Sequence, residues 1–268
     1  MALSETRRRL VARLHRRKTR QREGLVLVEG ARAATEALSN GARPRFVLQL
    51  PEAPASTSED LADCLAGVPD VQEVTPEEMR VLSGTETPQG LILVVEEPMA
   101  DPGEVWANRD ARIVLLDGVQ DPGNVGTLVR VSAAFGCTAL VALDGTADPW
   151  SPKAVRASAG TAFRIPLLRE RWAETTRRLD GWSGQLFRAD AAGRGVAGVS
   201  ASTPWALALG GEGDGCRREL SERANATVSI PMPGGVDSLN VGIAGALLLY
   251  ELTRDRPLGT NPTQETAE

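Results

Sequence analysis

The chain has 268 residues, 42% hydrophobic and 24% charged, with a net charge of −5, and is long enough to bury a core without disulfides or metals. Cys64, Cys137 and Cys216 lie far apart, are odd in number and fit no zinc spacing, which points to a reduced, cytoplasmic protein that holds no metal. No apolar run is long enough to span a membrane, and no apolar stretch of the signal-peptide kind follows the basic N-terminus.

The charge is unevenly spread. Arg7, Arg8, Arg9, Arg13, Arg16, Arg17, Lys18, Arg20 and Arg22 crowd the start of the chain against a single acid, Glu5, so a basic arm precedes an acidic body. Arg13, Arg16, Arg17, Lys18 and Arg20 are candidate phosphate contacts of this arm. The competing reading is a solvated, partly helical segment.

In chain order, 25–29 reads as a short buried strand, 31–39 as a helix with an alanine-rich stripe stopped by Gly41, and 46–50 as a second strand. A helix over 56–65, a strand over 71–74, a helix opened by Pro76 and a strand over 91–96 complete a small α/β unit in residues 1–97. Residues 98–111, with Pro98, Pro102 and Gly103, look like a linker. From residue 112 the alternation is clearer: strands at 113–116, 139–143, 163–167, 185–189, 205–209 and 226–230, and helices at 124–135, 152–158, 171–179, 217–222 and 238–253. Apolar strands alternating with helices imply an α/β fold whose parallel sheet is covered on both faces. Residues 112–254 form this second unit, and 255–268 read as a disordered tail.

The census excludes several chemistries. The only lysines, Lys18 and Lys153, sit in no phosphate-binding glycine loop, and no G-x-G-x-x-G opens a helix after a strand. The single histidine, His15, lies in the basic arm, so Ser-His-Asp or Cys-His catalysis and a hydrolase of that kind are disfavoured. Chemistry must rest on Arg, Asn, Glu, Ser and backbone groups, which suits a cofactor that carries the reactive group.

Three segments of the second unit stand out. In LLDGVQDPGNVGTLVRVSAAFG (115–136), a strand meets a Pro/Gly turn before a helix; Asn124 is either that helix's cap or a ligand at a strand's C-terminal end, and Arg130 follows it. In LALGGEGDG (207–215), a strand runs into glycines that hold Glu212. In VSIPMPGGVDSLNVGIAGALLLYEL (228–252), a strand breaks at Pro231, and Ser238 and Asn240 stand at the start of a helix apolar on nearly every side. Each has a bland explanation alone: a cap, a turn, a buried helix start.

In this order and register they resemble the three motifs of the SpoU/TrmH branch of the SPOUT RNA methyltransferases. The first motif's N-x-G-x-x-x-R is matched by Asn124, Gly126 and Arg130, and the second's L-G-x-E-G by Leu209, Gly210, Glu212 and Gly213. The third is matched by Ile230, Pro231 and Met232, then Ser238, Leu239, Asn240 and Val241. VLVEGARAATEAL (26–38) and TETPQG (85–90) resemble the family's substrate-binding domain, so the likeness runs over roughly residues 7–254. Two positions depart from the pattern: Gly211 stands where serine or alanine is common, and Gly242 where serine often follows Asn-Val.

The resemblance implies a parallel sheet ending in a C-terminal trefoil knot, preceded by a small α/β substrate-binding domain. It implies S-adenosyl-L-methionine held near Gly210, Ile230, Met232 and Leu239, and methyl transfer to a ribose 2′-hydroxyl with Arg130, Asn124, Glu212, Ser238 and Asn240 as the catalytic set. It also implies a homodimer through the last helix and the knot. Ribosomal RNA is favoured over tRNA because an added N-terminal domain is typical of the ribosomal members. Methylation of tRNA or of a base, and a non-catalytic RNA-binding or ribosome-assembly role, are the alternatives.

Overall fold

The structure, a computed structural model, describes residues 3–51, 59–68 and 70–254. The expected tail at 255–268 and the expected helix start at 56–58 lie outside the described residues. The arm forms two helices, α1 (Glu5–Leu14) and α2 (Arg17–Glu23). There follow β1 (Leu25–Glu29), α3 (Ala31–Ser39), β2 (Pro44–Gln49), α4 (Glu59–Ala66), β3 (Val71–Glu73), α5 (Pro76–Leu82) and β4 (Leu91–Glu96). The four strands make one mixed sheet in the order β1-β4-β2-β3, with β4 antiparallel to both its neighbours. Local chemistry sets the boundaries: Thr75 and Glu78 form a reciprocal capping box at the start of α5, with Pro76 in its first turn.

The expected linker holds a helix, α6 (Pro102–Ala107). Asp101 accepts from the Gly103 N–H at 2.7 Å, and Val105 and Trp106 are buried, so capping and an apolar pair override the Pro/Gly composition. The rest of the chain is β5 (Arg112–Asp117), α7 (Pro122–Ala134), β6 (Ala139–Leu143), α8 (Pro152–Ala157), a 3₁₀ turn at Thr161–Phe163, β7 (Leu167–Glu170) and α9 (Trp172–Asp180). It ends with β8 (Gln185–Gly195), β9 (Trp205–Gly210), α10 (Arg218–Arg223), β10 (Ala226–Ser229) and α11 (Val241–Thr253). The six strands pair in the order β10-β8-β9-β5-β6-β7, parallel throughout. The chain winds outward from β5 to β7 on one side and returns through β8 and β9 on the other. The ends of β5 and β9, where Asp117 pairs with Gly210, therefore form the switch point at which open parallel sheets bind ligands.

Several boundaries differ from the sequence reading, and the strand expected at 185–189 runs on to Gly195. The strand expected at 163–167 is replaced by the 3₁₀ turn and a strand from Leu167. Helix α7 is capped by Asp121, which accepts from the Gly123 N–H at 2.9 Å, so Asn124 lies inside the first turn with its side chain free for other partners. Helix α11 begins at Val241 and is capped by Asn240 rather than opened by Ser238.

The two sheets share one core. A single cluster of buried side chains runs from Val26, Val28 and Ala34 to Leu128, Val155 and Leu249. Ion pairs stitch the same junction: Arg156 Nη1 donates to Glu29 Oε2 at 3.0 Å, Arg164 pairs with Glu36, and Arg169 donates to both Glu97 oxygens at 2.6 and 3.1 Å. Arg169 Nε also donates to Asp148 at 2.7 Å, and the other oxygen of Asp148 accepts from Arg20. This corrects the reading of Arg20 as a phosphate contact. Its side chain is buried, and it donates to the Leu14 and His15 carbonyls as well as to Asp148, so it anchors α2 to the loop after β6.

Burial pushes the Asp148 carboxyl up, but Arg169 and Arg20 outweigh it and hold the group below the usual range. A depressed carboxyl contributes its stability above the unfolded pKa of about 3.9 and loses it as pH falls through the folded value. Asp148→Asn leaves Arg20 buried without a counter-charge, and urea unfolding at pH 7 is expected to show a loss of about 3–5 kcal/mol. The gap to the unmodified protein should narrow once pH falls below about 4, where Asp148 of the unfolded chain protonates, and close as pH passes through the lower folded value.

Candidate active site

The site forms where β9 ends. Gly210 lies so close to the returning chain that a Cβ there would sit 2.0 Å from the Gly215 carbonyl carbon, and Gly211 and Gly215 bridge to each other. The loop is fastened at its far end by Arg217. Its backbone N–H donates to Asp117 Oδ2 at 2.7 Å, and its Nε and Nη2 donate to Oδ1 at 2.8 and 2.6 Å. Arg217 Nη2 also reaches the Asp144 carbonyl at 3.1 Å, and the guanidinium stands 5.1 Å over the Trp172 ring. Burial works against the charged guanidinium, but the Asp117 carboxylate outweighs it and holds the pKa above the ordinary value. Burial, with Asp117 nearby, pushes the adjacent Cys216 thiol up to about 12, so it stays protonated.

Glu212 projects from this loop into a cluster of three side chains. Asn240 Oδ1 caps α11 by accepting from the Gly242 and Ile243 N–H groups at 3.0 and 3.3 Å. That fixes which end of the Asn240 amide is oxygen, and its Nδ2 donates to Asn124 Oδ1 at 2.9 Å and lies 3.4 Å from Glu212 Oε1. Asn124 Nδ2 in turn donates to Glu212 Oε1 at 2.8 Å. Asn124, Glu212 and Asn240, separated by up to 116 residues in sequence, thus form one oriented hydrogen-bonded triangle.

A cavity of about 300 Å³ opens beside the triangle, within the lower range of small-ligand sites. All four residues assigned to the cofactor, Gly210, Ile230, Met232 and Leu239, line it, and so do Glu212 and Ser238. Ser238 is exposed and makes no hydrogen bond among the described residues. Leu209, Val241, Ala244 and Leu248 supply an apolar floor. An apolar floor for an aromatic ring, glycine backbone for close approach and carboxylates at the rim fit S-adenosylmethionine. A second, polar cavity of about 450 Å³ lies across the loop and shares Gly211, Glu212 and Gly215 with the first. Asn124, Asp144 and Arg217 line it.

Arg130 is not brought to the triangle. It lies on α7 six residues after Asn124, about 9 Å along the axis and roughly 120° around it. It is exposed, lines neither cavity, and among the described residues forms no hydrogen bond or ion pair. Of the basic arm, Arg13, Arg16, Arg17 and Lys18 are exposed. Arg17 and Gln21 line a third cavity, of about 270 Å³, which reaches Asp144 and so adjoins the second.

The sequence reading missed Asp117, Arg217 and Asp190. Asp117 ends the strand LLD and was visible as its last residue; Arg217 carried no signal, because its role depends on a partner 100 residues earlier. Asp190 lies on the wall of the first cavity.

Comparison with known proteins agrees with this architecture. Residues 111–250 match the model of the SpoU rRNA Methylase family, and residues 7–93 match that of the MRM3-like substrate binding domain. The chain is 30% identical over 241 residues to the 23S rRNA (guanosine(2553)-2′-O)-methyltransferase RlmP of Bacillus subtilis, covering 90% of this chain and 93% of that protein. It is 31% identical over 262 residues to the 23S rRNA (uridine(2479)-2′-O)-methyltransferase of Streptomyces viridochromogenes, covering 94% and 90%. The crystal structure of the SpoU methyltransferase AviRb from Streptomyces viridochromogenes in complex with AdoMet superposes with a TM-score of 0.82 at 29% identity, covering 96% of this chain and all of that one. The fold and the matching families define an α/β RNA-modifying enzyme built on a parallel sheet. The chain belongs to the SpoU rRNA methylase family.

The geometry also accounts for the two small-residue departures. At Gly211 a Cβ would lie 2.4 Å from the Gly118 carbonyl oxygen, so in this chain the two backbones meet too closely for alanine or serine. At Gly242 a Cβ would sit 3.1 Å from Asn240 Oδ1 and from Thr127, tight but short of a clash. Gly211→Ala is expected to cost about 1–3 kcal/mol in urea unfolding by forcing the two loops apart, with Gly242→Ala costing less.

Proposed function

We propose that the chain methylates a ribose 2′-hydroxyl of ribosomal RNA with S-adenosylmethionine as donor, and that the 300 Å³ cavity holds that cofactor. The observation that carries this is the Asn124–Glu212–Asn240 triangle, whose Glu212 lines the cavity. The relatives that match over nearly the whole chain are named as 23S rRNA 2′-O-methyltransferases, and a structural neighbour holds AdoMet. Residues 1–97 serve as the RNA-binding domain and 112–254 as the catalytic domain, joined by 98–111, and the return of the chain through the loops before α11 is the knotted part. Ribosomal RNA is preferred to tRNA because the relatives that cover this N-terminal unit act on 23S rRNA.

The cofactor supplies an electrophilic methyl group on a sulfonium. The protein's task is to hold the ribose oxygen in line with it and to relieve that oxygen of its proton. Glu212 Oε1 is engaged by two amides, which leaves Oε2 to orient the substrate nucleotide by accepting from a donor other than the reacting hydroxyl. Ser238, exposed on the same rim, is a second positioning contact. A guanidinium is a poor base, so Arg130 holds a substrate phosphate, stabilises the developing alkoxide and lets that phosphate take the proton.

Since Arg130 faces away from its own triangle, it acts across a homodimer. The outer face of α11 presents Ile243, Leu247 and Tyr250, 54%, 42% and 52% exposed, at one-face helical spacing. Gly242 packs against Thr127, and Arg130 follows Thr127 by one turn of α7, at the edge of this stripe. Burying the stripe against a second copy in a symmetric interface carries Arg130 into the contact. No helix among the described residues is long and apolar enough to cross a membrane.

Arg130→Ala should lower methylation of ribosomal RNA on the order of 100-fold or more, with cofactor affinity within about twofold by calorimetry. Mixing Arg130→Ala with Glu212→Gln subunits should restore activity, because one mixed-dimer site then has both groups. No recovery would place Arg130 in its own subunit's site. Removing the whole arm would also remove buried Val11 and Leu14, so its charge is the cleaner target. Replacing Arg13, Arg16, Arg17 and Lys18 together by alanine should weaken RNA binding and flatten its logarithmic salt dependence by about 0.7–0.9 per lost phosphate contact. An unchanged slope would make the arm a solvated surface.

A further inference from the structure

The cofactor cavity has a charge pattern that the family motifs do not explain. Among the described residues that line it, no side chain is cationic and two are carboxylates, Glu212 and Asp190. Glu212 is engaged by Asn124 and Asn240. Asp190 stands on the opposite wall, and its position follows from the sheet. In the pairing of β10 with β8, Thr227 aligns with Arg188 but Val228 aligns with Arg194, so residues 189–193 bulge out of the ladder. The bulge carries Ala189, Asp190 and Ala191 onto the cavity wall, facing the floor built by Leu209 and Leu248.

The carboxylate is oriented but not saturated. Asp190 Oδ1 accepts from the Ala192 N–H at 2.9 Å, and Oδ2 lies 3.2 Å from Arg188 Nη2, which is itself held by the bond from Arg188 Nη1 to Ser221 Oγ at 3.0 Å. An ionised carboxylate has about four acceptor sites, so acceptor capacity remains on a residue that lines the cavity. S-adenosylmethionine brings ribose hydroxyls and an α-ammonium as donors, and carries net positive charge toward a carboxylate whose acceptor capacity Arg188 and Ala192 only partly take up. We propose that Asp190 is a cofactor-binding residue whose carboxylate accepts hydrogen bonds from the ribose hydroxyls or the α-ammonium group of S-adenosylmethionine. This rests on the reading that the 300 Å³ cavity is the cofactor site.

The test is calorimetric titration of the full chain with S-adenosylmethionine, S-adenosylhomocysteine and methylthioadenosine, which keeps the ribose and lacks the amino-acid group. Asp190→Asn retains an acceptor for the Ala192 N–H and so preserves the turn while removing the charge; Asp190→Ala removes both. Asp190→Asn should raise the Kd for the first two ligands about tenfold, and Asp190→Ala more, with ligand-free melting of Asp190→Asn unchanged. An equal loss for methylthioadenosine assigns the contact to the ribose, and unchanged methylthioadenosine binding assigns it to the ammonium. Unaltered affinity for all three ligands in both variants overturns the proposal and leaves Asp190 a turn-forming residue. Ala244→Leu, which fills the cavity floor, separates the two levels: if it still binds S-adenosylmethionine normally, the cavity reading itself has failed. If it abolishes binding while the Asp190 variants bind normally, only the role of Asp190 has.

Discussion

The site depends first on the carboxylate of Asp117. It ends β5 beside the last residue of β9, is only 4% exposed, and takes three hydrogen bonds from Arg217. Charge-assisted bonds of this kind are strong where water is excluded, and one of them comes from the backbone, so the chain after the glycine loop has little choice of path. Gly211 and Gly215 are thereby drawn together and Glu212 is thrust outward. The same loop then separates an apolar cavity from a polar one and places one carboxylate at their boundary. Without the Asp117–Arg217 clasp, a run of glycines at that position would be among the most mobile segments of the molecule.

Asn240 couples stability to geometry. As the cap of α11 it satisfies two N–H groups that the helix leaves unpaired, a contribution of about 0.5–2 kcal/mol at such positions. The same oxygen, once committed, turns the amide nitrogen toward Asn124 and Glu212 and sets the direction of the whole chain of bonds. A residue that reads as a plain cap is therefore also the one that orients the side chains of Asn124 and Glu212. A comparable economy holds between the sheets, where Asp148 and Arg169 join α2, the end of β4 and the loop after β6, so the basic arm sits at a fixed distance from the catalytic edge.

Much of this was legible in the primary structure, unevenly. Asn124, Glu212 and Asn240 stood out because together, in order and register, they resemble the three family motifs; alone each read as a cap, a turn or a helix start. Gly210, Ile230, Met232 and Leu239, the residues expected to hold the cofactor, line one cavity. Arg20 and Arg17, three residues apart in the same arm, met different fates: one found a buried aspartate 128 residues away, and the other stayed on the surface. No local property separates them. Arg130 is the same lesson at the site itself, since the motif names the residue but helical phase turns it outward.

The amino-acid sequence by itself determined the alternation of strands and helices and the three loops that carry the polar groups. These follow from periodicity, turn residues and capping, which act over a few neighbours. Tertiary structure alone decided that Asn124, Glu212 and Asn240 share hydrogen bonds, that Asp117 clasps Arg217, and that Arg20 is a bolt rather than a contact for RNA. Pairing across one hundred or more residues is set by strand order and register. Register is chosen by the burial of the whole sheet, so it is not written at any single position.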